Sequence, residues 1–139
     1  IILRHGQSTY NQQKRIQGHC DESELTPGGE AQALQVGQAL VGIPFDAVWA
    51  SPLKRARKTA EIITAELQKS TPALAAPSFS DNLKEISLPL WEGMPFSEAE
   101  TQYPQTFEQW RTDPANFVMA VPQPDGTTVE FYPIRELYQ

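Results

Sequence analysis

Twice in its first half the chain sets a hydroxyl residue directly before a proline, at Thr26-Pro27 and again at Ser51-Pro52. A threonine or serine side chain caps the free N–H groups of a helix start, and proline, with no N–H to lose, fits the first turn. Both points therefore read as helix beginnings and confine what lies around them. After Pro27 the residues Ala33, Leu34, Gly37, Leu40 and Val41 share one helical face, which predicts a helix from Pro27 to about Val41. After Ser51-Pro52 the stripe Leu53, Ala56, Ala60, Ile63 and Leu67 predicts a second helix, with Lys54, Arg55, Arg57 and Lys58 off that stripe. Short apolar, β-prone runs alternate with these helices: Ile1 to Leu3, Phe45 to Ala50 and, more weakly, Phe79 to Ile86 beyond the Pro/Ala-rich segment 71–77.

Strand, helix, strand, helix, strand predicts an α/β fold, a three-layer sandwich with a mostly parallel central sheet. Beyond Pro95 the pattern changes. Ser97-Glu98-Ala99-Glu100 reads as a capping box opening a helical stretch, bent near Pro104 and continuing through Phe107 and Trp110. This predicts a small helical cap over the C-terminal ends of the strands, inserted at about 95–121. The tail from Pro122 reads as a Pro/Gly turn region leading into the first turn of another helix at Pro133 to Tyr138.

A chain of 139 residues has room for one domain with a core of its own, so 1–139 is expected to be a single α/β domain. No apolar run approaches the roughly 20 residues that span a bilayer. The net charge of -6 argues against nucleic acid and anionic membrane as partners. The cations gather around Arg4 to Arg15 and Lys54 to Lys58, an arrangement suited to a small anion. Cys20 is the single cysteine, so no internal disulfide is available and no zinc-ligand spacing surrounds it; a reducing cytoplasm fits. There is no basic, apolar leader, and the first residue is strand-like instead of a start methionine, which predicts processing or truncation at this end.

In an open α/β sheet, ligands collect beyond the carboxyl ends of strands, where helix N-termini also point their N–H groups. Arg4 and His5 follow the first predicted strand, Arg55 opens the helix after the second, and Glu85 ends the third. Two arginines suit a phosphate dianion, and a neutral imidazole between them can attack phosphorus.

These residues stand in a longer pattern. Leu3-Arg4-His5-Gly6-Gln7-Ser8 is continued by Asn11 and Arg15-Ile16-Gln17-Gly18, then by Leu25-Thr26-Pro27-Gly28-Gly29. Ser51-Pro52-Leu53-Lys54-Arg55-Ala56-Arg57-Lys58-Thr59-Ala60 follows, and finally Leu83-Lys84-Glu85-Ile86 with Trp91-Glu92-Gly93. In this order, across most of positions 1 to 93, the chain resembles the histidine phosphatase superfamily, which includes the cofactor-dependent phosphoglycerate mutases. The resemblance implies that His5 becomes a phosphohistidine, that Arg4 and Arg55 hold the phosphoryl group, and that Glu85 is the proton donor. It places Asn11 and the Gly18 backbone beside the phosphoryl group or substrate. It requires no metal and no cofactor.

The family's pocket also has a second histidine after a later strand, whereas this chain offers only His5 and His19. His19 lies in the loop before the first predicted helix, the wrong segment. The sequence therefore resembles the front two-thirds of such a domain, C-terminally incomplete, and either the missing strand comes from elsewhere or this chain is poorly active. Ile86 and Leu88 stand where the mutases typically carry an arginine and a tyrosine, and only Arg111 supplies a cation between Pro95 and Val121. Fewer cations hold a doubly phosphorylated intermediate less well, which favours hydrolysis. Leu88 to Met94, with Pro89 in place of a common glycine, resembles a subgroup from photosynthetic organisms, some of whose members hydrolyse 2-carboxyarabinitol 1-phosphate.

Plainer readings stand beside these. Arg55 also fits a solvated helix cation, as Arg57 and Lys58 do, and Glu85 an ordinary strand-end carboxylate. Glu92 reads as structural, Cys20 as incidental, and Phe107, Trp110 and Phe117 as packing between cap and core instead of a platform for nucleobases. The expectation is a metal-independent phosphomonoesterase acting through phosphohistidine on a small phosphorylated metabolite, a sugar or sugar-acid phosphate. The alternatives are a phosphoglycerate mutase and a catalytically impaired phosphate-binding or interaction module. Partners are expected to be a small phosphorylated substrate and a second copy of the chain in a homodimer.

Overall fold

A computed structural model describes residues 1–137. They form two compact units, one of Ile1–Gln12 and Asp21–Lys84, the other of Gln13–Cys20 and the residues from Glu85 on.

In the first unit, Ile1 to Leu3 is not a strand. Ile1 is 77% and Ile2 99% exposed, and among the described residues no strand pairs with them, so this apolar run has no ladder to join. The loop expected after it contains one helical turn, α1 (Thr9–Gln12), nucleated where Ser8 Oγ accepts the Asn11 N–H at 3.1 Å. Thr26 does what its place before Pro27 predicts: its side chain accepts the Gly29 N–H at 3.0 Å, and α2 runs Pro27–Ala39. The second predicted strand shortens to β1 (Trp49–Ala50).

The next helix, α3 (Lys54–Gln68), starts later than Ser51-Pro52 suggests. Ser51 Oγ accepts the Leu53 N–H at 3.3 Å and closes a local turn, while the first helical N–H, that of Lys54, goes to Asp21 Oδ1 at 2.6 Å. A carboxylate distant in sequence thus supplies the cap. α3 carries the chain to β2 (Ser78–Phe79), which pairs parallel with β1, Trp49 opposite Ser78 and Ala50 opposite Phe79. The predicted βαβ crossover is there, although the third strand stops at Phe79. Ser80 Oγ then accepts the Asn82 N–H at 3.3 Å and opens a 3-10 turn, Asp81–Leu83, a side-chain bond that competes with the ladder.

Ala33, Ile63, Leu67 and Leu74 form the buried centre of this unit. Gly37 lies so close to Glu66 and Ile63 that small residues set the separation of α2 from α3. Leu34 and Val41, expected on the same face, lie off this line and are exposed.

In the second unit, α4 (Phe96–Gln102) begins one residue ahead of the predicted capping box. Pro95 occupies the cap position and the Phe96 N–H donates to the Lys14 carbonyl at 3.0 Å, so Ser97 is inside the helix and the box does not form. Pro104 breaks the helix as predicted and starts α5 (Pro104–Thr112), followed by a 3-10 turn at Pro114–Asn116. The tail contains an antiparallel hairpin that the turn-region reading did not resolve, β3 (Met119–Pro122) against β4 (Thr128–Phe131). In its turn Asp125 accepts the Thr127 hydroxyl at 2.7 Å and the Thr127 N–H at 2.9 Å, which holds its carboxyl below the usual carboxylate range. The helix predicted from Pro133 is α6 (Pro133–Glu136); its predicted end at Tyr138 lies outside the described residues.

Trp91 is the centre of this unit, fully buried among Ile16, Leu88, Ala99, Phe107, Phe117 and Met119. Ring centroids of Phe117, Phe107 and Trp110 lie 5.3, 5.6 and 5.6 Å from it. Phe107 and Phe117 are thus packing residues, with Trp110 against the same ring. Among the described residues no helix is long and apolar enough to cross a membrane.

Candidate active site

The first unit holds His5, Arg4, Asn11 and Arg55. The ring of His5 is half-buried, and its Nδ1 lies 2.7 Å from the Gly6 carbonyl. A carbonyl only accepts, so Nδ1 carries the proton, and in the neutral ring the lone pair is on Nε2. The same peptide is fixed from its other side: the Gly6 N–H donates to Thr59 Oγ1 at 3.1 Å, and the Thr59 hydroxyl donates to the Arg55 carbonyl at 2.8 Å. Backbone of the histidine segment is thereby tied to the turn of α3 that carries Arg55.

A second restraint comes from α2. A Cβ on Gly6 would overlap the Gly29 carbonyl, and a Cβ on Gly29 would overlap Gln7, so the two backbones touch where neither can bear a side chain. Gln7 is held further by its carbonyl, which accepts the Thr26 N–H at 2.9 Å and the Thr26 hydroxyl at 3.2 Å.

Arg55 is 1% exposed, which overturns its reading as a solvated helix cation; Arg57 and Lys58 are the exposed ones. A planar, permanently charged guanidinium suits a phosphate. Arg57 instead places its guanidinium 4.1 Å from the centroid of Phe79. Arg4 is exposed. Asn11 Oδ1 accepts the Ser8 N–H at 3.1 Å and the Ser8 hydroxyl at 3.0 Å, which leaves the amide Nδ2 as the group Asn11 offers to an anion.

The second unit holds Gly18 and Glu85. Glu85, expected to end the third strand, instead follows the 3-10 turn because that strand stops at Phe79, and its side chain is exposed. Gly18 is buried with φ of +50°, and a Cβ there would overlap the Glu92 side chain. Glu92 is structural, as expected: its Oε1 accepts the His19 N–H at 2.8 Å, the Leu88 N–H at 3.0 Å and the Ser87 hydroxyl at 3.3 Å. Main-chain pairing joins the same segments, with Ile16 N–H on the Met94 carbonyl at 2.9 Å and Gly93 N–H on the Ile16 carbonyl at 2.8 Å.

Sequence reasoning assigned no role to Thr59 or Asp21 and set His19 aside. Thr59 was visible as the residue one helical turn beyond Arg55; Asp21 and His19 act across long sequence separations that no local pattern reports. Among the described residues, no cluster of three or more histidine, cysteine, aspartate or glutamate side chains is positioned to hold a metal ion.

Over 138 residues the chain is 41% identical to a protein of Arabidopsis thaliana named probable 2-carboxy-D-arabinitol-1-phosphatase, covering 99% of this chain and 26% of that protein. It is 39% identical over 138 residues to the 2-carboxy-D-arabinitol-1-phosphatase of Triticum aestivum, 99% of this chain and 25% of that one. The chain thus spans about a quarter of the length of these relatives. Among solved structures, Bacillus stearothermophilus YhfR superposes with a TM-score of 0.74 at 28% identity, over 96% of this chain and 60% of that protein, which establishes the α/β class. The histidine phosphatase superfamily (branch 1) pattern matches residues 1–130, and the chain belongs to that family.

Proposed function

We propose that the protein is a phosphomonoesterase that works through a phosphohistidine, and that its substrate is a small phosphorylated metabolite of the sugar-acid phosphate class. The observation that carries this is the Nδ1–H bond of His5 to the Gly6 carbonyl, which fixes the tautomer whose lone pair is on Nε2, the nucleophile of this reading. Nε2 attacks phosphorus, the bond from phosphorus to the substrate oxygen breaks, and Glu85 gives its proton to the departing alcohol. The Glu85 carboxylate then takes a proton from water; the oxygen attacks phosphorus, the P–N bond breaks, and inorganic phosphate leaves with His5 restored. Arg4, Arg55 and the Asn11 amide serve the phosphoryl oxygens, and the Gly18 backbone lies beside the substrate. The step uses no metal and no cofactor.

The names of the two plant relatives support the substrate class. Leu88 favours hydrolysis over mutase chemistry, since it is packed in the apolar core of its unit and offers no polar contact to a second phosphate. A single cysteine suits action in a reducing cytoplasm. The test is phosphate release from an aryl phosphate and from 2-carboxyarabinitol 1-phosphate in the presence of a chelator, beside His5→Ala. Turnover abolished in the variant supports the reading, and turnover that survives it rules out His5 as nucleophile. Conversion of 3-phosphoglycerate to 2-phosphoglycerate in place of phosphate release would make the protein a mutase, and binding without turnover a phosphate-binding module.

A further inference from the structure

His19 lies in the wrong segment for the family's second phosphoryl histidine, and its position gives it a different task. Its Nε2 lies 2.6 Å from the backbone carbonyl of Glu85. The carbonyl accepts, so Nε2 carries the proton, and this holds for imidazole and imidazolium alike. The main chain of His19 is itself held, because its N–H donates to Glu92 Oε1 at 2.8 Å. That same oxygen receives the Leu88 N–H at 3.0 Å and the Ser87 hydroxyl at 3.3 Å. One carboxylate thus fixes both the histidine's backbone and the segment just after Glu85, and the imidazole closes the frame at Glu85.

Glu85 needs such a frame. It lies in neither helix nor strand, and its exposed side chain is directed only by the adjacent main chain, Oε1 accepting the Ile86 N–H at 3.3 Å, so the carboxyl group is placed only as well as that backbone is held. A general acid must be held in place, since small displacements at the reacting centre cost large factors in rate. We infer that His19 is a positioning residue for Glu85: its imidazole N–H fixes the backbone from which the proposed acid reaches the leaving oxygen. The inference rests on the role proposed for Glu85.

Two measurements test it. In nitrogen-resolved NMR of the imidazole rings, neutral His19 is expected as the Nε2–H tautomer; an Nδ1–H tautomer overturns the contact without any need for turnover. The second compares kcat/KM for an alkyl phosphate, whose leaving group needs a proton, with that for a nitrophenyl phosphate, whose leaving group needs little. His19→Leu is expected to lower the first about tenfold and the second less than about twofold, and His19→Gln, which keeps an amide donor, to recover most of the loss. Equal losses on both substrates, or no rescue by glutamine, would overturn the positioning role. Glu85→Gln is the control: if it too fails to discriminate between the substrates, the acid role of Glu85 is wrong and the inference goes with it.

Discussion

Thr59 joins two functional segments through one hydroxyl, accepting from the Gly6 N–H and donating to the Arg55 carbonyl. Valine has the same shape and neither capacity. Thr59→Val is therefore expected to leave the buried Gly6 N–H unsatisfied, at a cost of about 1–3 kcal/mol in thermal or denaturant unfolding, and to lower kcat/KM several-fold, while Thr59→Ser keeps both bonds and stays close to the parent. Gly18 allows an equally sharp test. With φ of +50° and Glu92 where a Cβ would stand, Gly18→Ala is expected to destabilise by more than the roughly 1 kcal/mol of left-handed strain alone, read in the same unfolding assay. At this scale the sequence was informative about chemistry and silent about support. Arg4, His5, Arg55 and Glu85, the residues proposed for the reaction, stand out in the sequence because their types suit phosphoryl chemistry and follow a recognisable order. His19 and Asp21 act through single hydrogen bonds to distant backbone, and such bonds leave no periodic trace.

The two hydroxyl-proline pairs separate what an element's sequence can and cannot dictate. Thr26 and Ser51 carry the same local signal, yet Thr26 caps α2 and Ser51 closes a turn ahead of α3. The difference lies in what else is at hand: Asp21 reaches the Lys54 N–H, so α3 has its acceptor from elsewhere. Thr26→Ala is accordingly expected to cost about 1 kcal/mol or more, since the cap and the hydroxyl bond to Gln7 go together, whereas Ser51→Ala should cost less; chemical denaturation of both variants checks the ranking. Helix faces were legible wherever burial on a partner enforces the period, as along Ala33, Ile63 and Leu67. Strands were overestimated, at Ile1 to Leu3 and beyond Phe79, because a strand exists only through its neighbour and one segment's composition says nothing of the neighbour.

Across the whole molecule the acids outnumber the bases by 17 to 11, while the cations assigned to phosphate are few and local. Repulsion from polyanions should dominate: no retention on heparin is expected at roughly 0.15 M salt, whereas inorganic phosphate should compete with substrate, and firm retention on heparin would contradict the exclusion of nucleic acid as a partner. Each unit has its own apolar centre, one around Ile63 and Leu67 and the other around Trp91. The chain reaches them out of order, leaving the first unit after Gln12, returning at Asp21 and departing again after Lys84. Ile16 is therefore translated long before Leu88, Trp91 and Met119, the residues that bury it. A nascent chain that has emerged only as far as Lys84 carries this isoleucine with none of those companions. The second unit closes only once Met119 has been made, around Ile16, made more than a hundred residues earlier, and a gene divided between the codons for Lys84 and Glu85 would encode two polypeptides of which neither holds a complete unit two.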